Sequence, residues 1–479
     1  MEEINSMVNE GISVNKYKRG RVFASWILLQ LSILVVEIYI LFENSSENLL
    51  VLLPLTFMFL ILVFYRVYLK AFTSILYFFY VFSSYVRFVI TPFLMVLANY
   101  HTDYYIRQEI YNNLDKAVLL MVYEIICVFL ILYYYSKKEE GINIEKCEIE
   151  KPLHATNFIM LMLFLTFLGI LFCFPELLIL LHSNGGTPEE DWAIRDIINN
   201  LHNSLNPIIY WGFKLIVEIL QITFPIYVYN WAYLKLSSFK AAFVGILMIA
   251  LSLFIMTDSR AISAFTAVSL LLVMAKNQGN HIKKIIPFII SGIGIVILLA
   301  LFKDQGFTGQ RLPHILTAVQ GYFGGVVFTA GFFSISEELS LSEILKNFIT
   351  PLPFFGMFVK DYVSSNQLVN QAIFHSSIYG VIFPMIGEGA RFFTIAFAPI
   401  FSVITISMGL KFENMAKIKV NKDHKVNLLN LYYIYFILLI MGVAINMYDF
   451  SILIGFLAYF VICGFIFNVP GLKNICIKL

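Results

Sequence analysis

The chain has 479 residues, of which 59% are hydrophobic and 13% charged, and its mean hydropathy is +0.80. No soluble domain of this length reads so apolar throughout, which excludes a soluble enzyme or a nucleic-acid-binding domain and leaves a polytopic membrane protein. The formal charge of +2 says little, because in such a chain the distribution of Lys and Arg carries the information.

Apolar runs long enough to cross about 30 Å of hydrocarbon, roughly 17–25 residues each, fall at 22–42, 49–65, 71–97, 114–135, 157–181, 207–234, 241–257, 260–275, 285–302, 378–409, 428–446 and 451–468. The segment before the first run is polar and no A-x-A-like site follows it, so that run reads as a signal anchor. Basic residues then set the sidedness. Lys16, Lys18, Arg19 and Arg21 precede the first run, and Lys137, Lys138, Lys146 and Lys151 follow the fourth. Lys276, Lys283 and Lys284 follow the eighth; Lys411, Lys417, Lys419, Lys422 and Lys425 follow the tenth; Lys473 and Lys478 end the chain. Twelve spans with both termini cytoplasmic put all these segments on one side.

Residues 303–377 hold two further apolar stretches, Pro313–Ile335 and Ile344–Val359. One extra span there would invert everything downstream and export the lysines of 411–425. The pair is therefore expected to be interfacial or re-entrant within a large external loop between spans nine and ten. Glycines 321, 324 and 325 and prolines 351 and 353 suit an interrupted backbone. The external loop 182–206 is expected to carry a short helix, with Thr187 at the N-cap, Pro188 next, and Glu190 completing a capping box. The whole of 1–479 is read as a single transmembrane domain. Cys127, Cys147, Cys173, Cys463 and Cys476 have no metal-ligand or redox spacing and are expected to be free thiols.

Once the runs are oriented, Glu37, Arg87, Glu124, Lys214, Glu218, Asp258, Arg260, Glu388 and Arg391 all fall in the outer half or at the outer boundary. A charge at mid-helix costs roughly 2.5–3.5 kcal/mol even on lenient insertion scales, so such crowding points to a polar chamber. Lys214 and Glu218 are spaced i,i+4 and neutralise each other on one helix face. Arg87 and Glu124 sit at comparable depths on consecutive spans and are expected to pair. The tight turn Thr257-Asp258-Ser259-Arg260 pins a guanidinium at the outer boundary beside a helix N-terminus, which suits phosphate oxygens; a snorkelling arginine is the plainer reading. In His375-Ser376-Ser377 … Gly387-Glu388-Gly389-Ala390-Arg391, the Glu388–Arg391 spacing is i,i+3 between glycines. Glu388 suits a general base and Arg391 an anion clamp, the alternative being an internal ion pair. No phosphate-binding glycine loop, zinc-spaced Cys/His pair or nucleophile elbow is present, and no metal or cofactor is expected.

At these residues the chain resembles the oligosaccharide repeat-unit polymerases, the Wzy-type O-antigen and capsule polymerases. Tyr85-Val86-Arg87 with Pro92 looks like the family's third-span arginine and proline, and Thr257-Asp258-Ser259-Arg260 like its small-residue turn. Gly321-Tyr322-Phe323-Gly324-Gly325 resembles the aromatic-glycine segment of its external loop, and Ser376 through Arg391 its Gly-Glu segment. The topology extends the resemblance over essentially the whole chain. An arginine-x10-glycine repeat is not present, because Gly321 falls one residue early after Arg311.

The resemblance implies a GT-C-like, metal-independent glycosyltransferase of the bacterial cytoplasmic membrane acting on polyprenyl-diphosphate-linked oligosaccharides. A chain-length regulator and a flippase are implied partners. Arg260, with Arg391, Arg311 or Arg87, is then expected to hold the diphosphate, and Glu388 or His375 to deprotonate the acceptor sugar. Two alternatives stand: a lipid-linked oligosaccharide flippase or exporter, which needs polar residues through both halves of the membrane, and an O-antigen ligase-type transferase.

Overall fold

In this computed structural model, the described residues are 16–43, 49–100, 108–137, 148–150, 154–181, 197, 200–201, 204–254, 260–278, 311–335, 340–359, 365–374, 383–423 and 425–466. The helices are α1 Lys16–Glu43, α2 Leu52–Val63, α3 Tyr65–Lys70, α4 Ile75–Tyr85, α5 Thr91–Leu97, α6 Gln108–Tyr111, α7 Leu114–Ser136 and α8 His154–Cys173. They continue as α9 Pro207–Lys235, α10 Ser238–Phe254, α11 Arg260–Gln278, α12 Arg311–Tyr322, α13 Val326–Gly331, α14 Leu341–Ile349 and α15 Ser365–Phe374. The last are α16 Met385–Phe392, α17 Ile400–Asp423, α18 Leu428–Met447 and α19 Phe450–Ile466. Two three-residue strands, β1 Glu148–Glu150 and β2 Lys425–Asn427, pair in parallel.

The chain is a multi-pass helical membrane protein. Six described helical segments are long and apolar enough to cross a bilayer: Gly20–Glu43, Ile75–Leu97, Leu114–Ser136, Pro207–Lys235, Ile395–Ala416 and Leu428–Met447. Five shorter apolar helices lie at Leu49–Val63, Asn157–Cys173, Ser238–Ser252, Ile262–Asn277 and Phe450–Gly464. These eleven coincide with apolar runs of the sequence; the run 285–302 and the Thr187-capped helix lie outside the described residues. The first span is only 17% buried and turns Leu28, Val35 and Leu41 outward, as expected where hydrocarbon is the solvent. By contrast the Leu428–Met447 span is 89% buried and forms the axis of the bundle.

Cross-helix contacts give the relative directions. Ser25 meets Tyr68 at 2.8 Å and Ser32 meets Tyr85 at 3.0 Å, so α1 runs with α4 and against α2–α3. Tyr77 donates to the Leu132 carbonyl at one end of the α4–α7 contact, and Arg87 reaches Glu124 at the other. Ser74 donates to Glu413 at 2.8 Å while Ser402 donates to Glu124, so α17 runs against α4. α18 runs with α4, because Gly442 lies against Leu76–Tyr80 and Asn446 against Ser83 and Ser84. A Cβ at Gly442 would come within 2.9 Å of the Leu76 carbonyl, so this backbone approach requires glycine.

Two corrections to the sequence reading follow. The run 378–409 is not one helix: α16 ends at Phe392, the chain turns through Phe393–Pro399, and α17 begins at Ile400. The fold-back is tight, since a Cβ on Gly389 would lie 2.1 Å from the Ala398 carbonyl oxygen. Helix α17 then continues to Asp423, well into the lysine-rich segment taken for a loop. The two apolar stretches between 311 and 359 form short helices: α12, α13 and α14 have 12, 6 and 9 residues. At about 1.5 Å per residue none of them crosses about 30 Å of hydrocarbon.

Candidate functional site

Two buried polar networks occupy the end of the bundle opposite the β1–β2 pair. The first is centred on Arg87, which is fully buried. Between α4 and α5 the backbone opens into a π-helical turn, Val86–Ile90, directly before Thr91-Pro92. Pro92 has no N–H to continue the α-helical ladder, and the Thr91 hydroxyl instead donates to the Val86 carbonyl at 3.0 Å. The wide turn holds Arg87 toward the axis. Its Nη1 donates to Glu124 at 2.8 Å, to Asn446 Oδ1 at 3.2 Å and to the Ile445 carbonyl at 3.3 Å. Its Nε donates to the Gly324 carbonyl at 3.1 Å. Ser402 donates to the second Glu124 oxygen, and Asn446 donates to Ser83 and Ser84. Nη2 has no hydrogen-bond partner among the described residues.

Gly324 brings the glycine-aromatic segment to this arginine. Its φ of +50° is left-handed, and a Cβ there would stand 2.9 Å from Pro384 Cβ, so both conformation and space call for glycine. The neighbouring Gly325 packs against the Gln320 side chain, whose Oε1 accepts from Val327 N–H at 3.3 Å at the start of α13. This contact places the glycine-aromatic segment against a fully buried arginine inside the bundle.

The second network surrounds Glu388 on α16, also fully buried. One oxygen accepts from Ser451 and from Asn347 Nδ2, the latter at 2.9 Å; the other accepts from the Phe450 N–H. Asp449 accepts from Ile452 N–H at 2.7 Å. Two carboxylates thus serve the N-terminus of α19, where unsatisfied N–H groups and the positive end of the helix dipole favour negative charge. Asn347 is a bridge: it belongs to α14, donates also to Ser451, and accepts from Ser365 N–H at 3.1 Å. An aromatic cluster closes the site, with Phe348 against Phe392 at 5.4 Å and Phe401 stacked on Phe450 at 4.5 Å.

Arg391 lies in the last turn of α16, half-buried, and its charge acts on the Glu343 carboxylate of α14. Glu343 closes a capping box with Ser340, and the Ser340 hydroxyl and backbone N–H hold its carboxyl below the usual range. Lys214 places its ammonium 5.4 Å from the Trp211 ring centroid. An apolar groove of about 480 Å³ opens between α2 and α7 beside Leu55, Phe59 and Leu130; it holds none of the charged groups.

The structure therefore brings three of the four singled-out segments together. Arg87 holds Gly324, Gly324 abuts Pro384, and Pro384 leads into the Glu388 helix. Arg260 begins α11, whose Phe265 packs on Tyr448 at 6.0 Å, next to Asp449. His375 and Thr257–Ser259 lie outside the described residues, and Arg260 and Arg311 are described only as helix starts. The Arg87–Glu124 pair forms as expected. Both oxygens of Glu388 are enclosed and bonded, so as arranged here an acceptor hydroxyl reaches them only if Asn347 moves away. The end of the bundle that carries the β1–β2 pair also holds a buried carboxylate, since Glu413 is 1% exposed beside Ser74. Asn347, Ser402, Asn446 and Asp449 were missed, although Asn446 and Asp449, polar residues within or between apolar runs, carried a signal. Cys127, Cys173 and Cys463 are free thiols. Among the described residues no group of three or more His, Cys, Asp or Glu forms a metal site. No family model, curated protein or solved structure matches the chain.

Proposed function

We propose that the protein is a membrane glycosyltransferase of the repeat-unit polymerase type, acting at the outer face of a bacterial cytoplasmic membrane. The observation that carries this reading is the convergence of the arginine-proline, glycine-aromatic and Gly-Glu segments at one end of the bundle through Arg87, Gly324 and Pro384. The pairing of Glu148–Glu150 with Lys425–Asn427 supports an even number of crossings between them, as a twelve-span chain whose 311–359 segment does not cross requires.

In this reading an acceptor sugar hydroxyl attacks the anomeric carbon of a polyprenyl-diphosphate-linked oligosaccharide. The new glycosidic C–O bond forms as the bond to the diphosphate oxygen breaks, and the hydroxyl proton passes to a base. Diphosphate leaves readily, so positioning and electrostatic stabilisation supply most of the rate. Arg260 and Arg391 are the groups assigned to the diphosphate, with Arg311 as a further candidate. Arg87, closed off from solvent and bonded through Nε and Nη1, positions the re-entrant segment. Glu388 takes the proton once Asn347 withdraws, or His375 takes it. A chain-length regulator and a flippase are the partners this reading implies.

The test is Arg260→Ala in cells making the cognate glycan. The polymer ladder should disappear at unchanged protein level; a normal ladder at normal level sinks the assignment. A flippase or exporter is less well supported, because the described charged clusters gather at one end and the opposite end contributes Glu413. A ligase-type transferase shares this chemistry and differs in its acceptor.

A further inference from the structure

Helix α14 presents two unlike faces, and its placement says what each one meets. At about 100° per residue, Ile344 and Phe348 are followed around the helix by Leu341, Leu345 and Ile349, giving one continuous apolar sector. Ile344 and Phe348 pack onto the core, whereas Leu341 is 75% and Leu345 53% exposed. Ser342 and Lys346 are exposed beside this sector, and Asn347 on the far side is buried against Glu388. The helix lies level with the first turns of α17 and α19, because Phe348 touches Phe401 and Phe450 there. Downstream, the Pro351 carbonyl passes within 2.8 Å of a Cβ position on Gly455, so the chain runs beside the second turn of α19.

We infer that α14 is an interfacial anchor whose Leu341–Leu345–Ile349 stripe rests among the acyl chains of the adjoining leaflet. Its occupant is lipid because the stripe lies at the level where α17 and α19 begin, the level of the exposed apolar side chains Phe393, Ile395 and Phe397 that lead into α17. Ser342 and Lys346 border it on the side from which a polar headgroup layer or a snorkelling ammonium is reached. With nine residues and an apolar sector shared between protein and exterior, the helix fits the interface and not the core. The consequence is a physical link between bilayer and site. The helix that dips into lipid on one face holds the Glu388 carboxylate with Asn347 on the other. This inference needs only that the chain is a membrane protein and stands apart from the proposed glycosyl transfer.

The experiment uses the full chain in phosphatidylethanolamine–phosphatidylglycerol nanodiscs, with a nitroxide at Leu345→Cys or Lys346→Cys in a chain otherwise free of cysteine. Collision with oxygen should exceed collision with a water-soluble nickel chelate at 345, and the order should reverse at 346. Equal chelate access at both positions overturns the anchor, since the stripe then faces water. Low access to both reagents at 345 also overturns it, since protein then covers the stripe. The unmodified chain gives a second reading with phospholipids carrying a photoreactive diazirine in the acyl chain. The 341–349 peptide should be labelled along with the spans, and labelling of the spans alone contradicts the inference.

Discussion

Replacing Arg87 by Met removes the guanidinium that four groups of the bundle share. Glu124 stays 1% exposed, with Ser402 as its remaining described donor, while the carbonyls of Gly324 and Ile445 and the Asn446 Oδ1 each lose an N–H. Breaking a buried ion pair by deleting one partner costs about 3–5 kcal/mol, because the other charge is left uncompensated. Stranded carbonyls add to that loss only partly, since the Gly321–Gly325 segment can shift. The expected destabilisation of Arg87→Met is therefore about 3–5 kcal/mol. Removing both charges, as Arg87→Met with Glu124→Met, should recover about 2 kcal/mol or more of the single-variant loss, the coupling expected of partners in one network. Equilibrium unfolding of the purified chain in mixed dodecylmaltoside–SDS micelles, followed by helical content, measures both. A single-variant loss below about 1 kcal/mol, typical of exposed pairs, refutes the reasoning. So does a double variant whose loss equals the sum of the two singles.

Gly324→Ala forces a Cβ into a left-handed conformation 2.9 Å from Pro384 Cβ, and it should cost about 1–3 kcal/mol in the same unfolding assay; wild-type stability would show that the turn relaxes freely. Glu388→Gln leaves one acceptor oxygen, which serves either the Phe450 N–H or the Ser451 and Asn347 donors but not both, so stability should fall by about 1–3 kcal/mol. If Glu388 takes the acceptor proton, polymer synthesis should nevertheless be lost in that variant, and full polymer length assigns the proton to another group. Glu343 is held below the ordinary carboxylate range by Ser340, so its support for α14 is fully present above the unfolded value near 4.5 and fades as pH falls through the lower folded value. A nitroxide at Leu345 should keep its mobility from neutral pH down to that value and gain it only in stronger acid; loosening already near neutrality would point to a different group.

The apolar helices could be read from the chain because hydrocarbon demands long apolar runs: eleven described ones overlap those runs, six of them long enough to cross. That the apolar stretches 313–335 and 344–359 break into short helices was signalled by Gly321, Gly324 and Gly325 and by Pro351 and Pro353. What could not be read was pairing across the bundle. Asn347 lies 41 residues from Glu388, and Asn446 lies 359 from Arg87, so no local periodicity joins them. The break at Phe393–Pro399 hid inside a run that stays apolar throughout, where hydropathy cannot tell a crossing from a fold-back. Glu413 escaped because its neighbours are lysines, while the helix carrying it extends to Asp423. Glycine gave the better clue: Gly389 and Gly442 mark the places where backbones meet.

The central claim concerns what the chain does to lipid-linked glycan, and the most direct measurement is the composition of the carrier-lipid pool after the chain is deleted. The account predicts that polyprenyl diphosphate bearing a single repeat unit accumulates on the outer face and that the pool returns to normal when the intact chain is restored. Accumulation of full-length polymer on the carrier contradicts polymerisation in favour of ligation. Accumulation of single repeats confined to the inner face contradicts it in favour of transport.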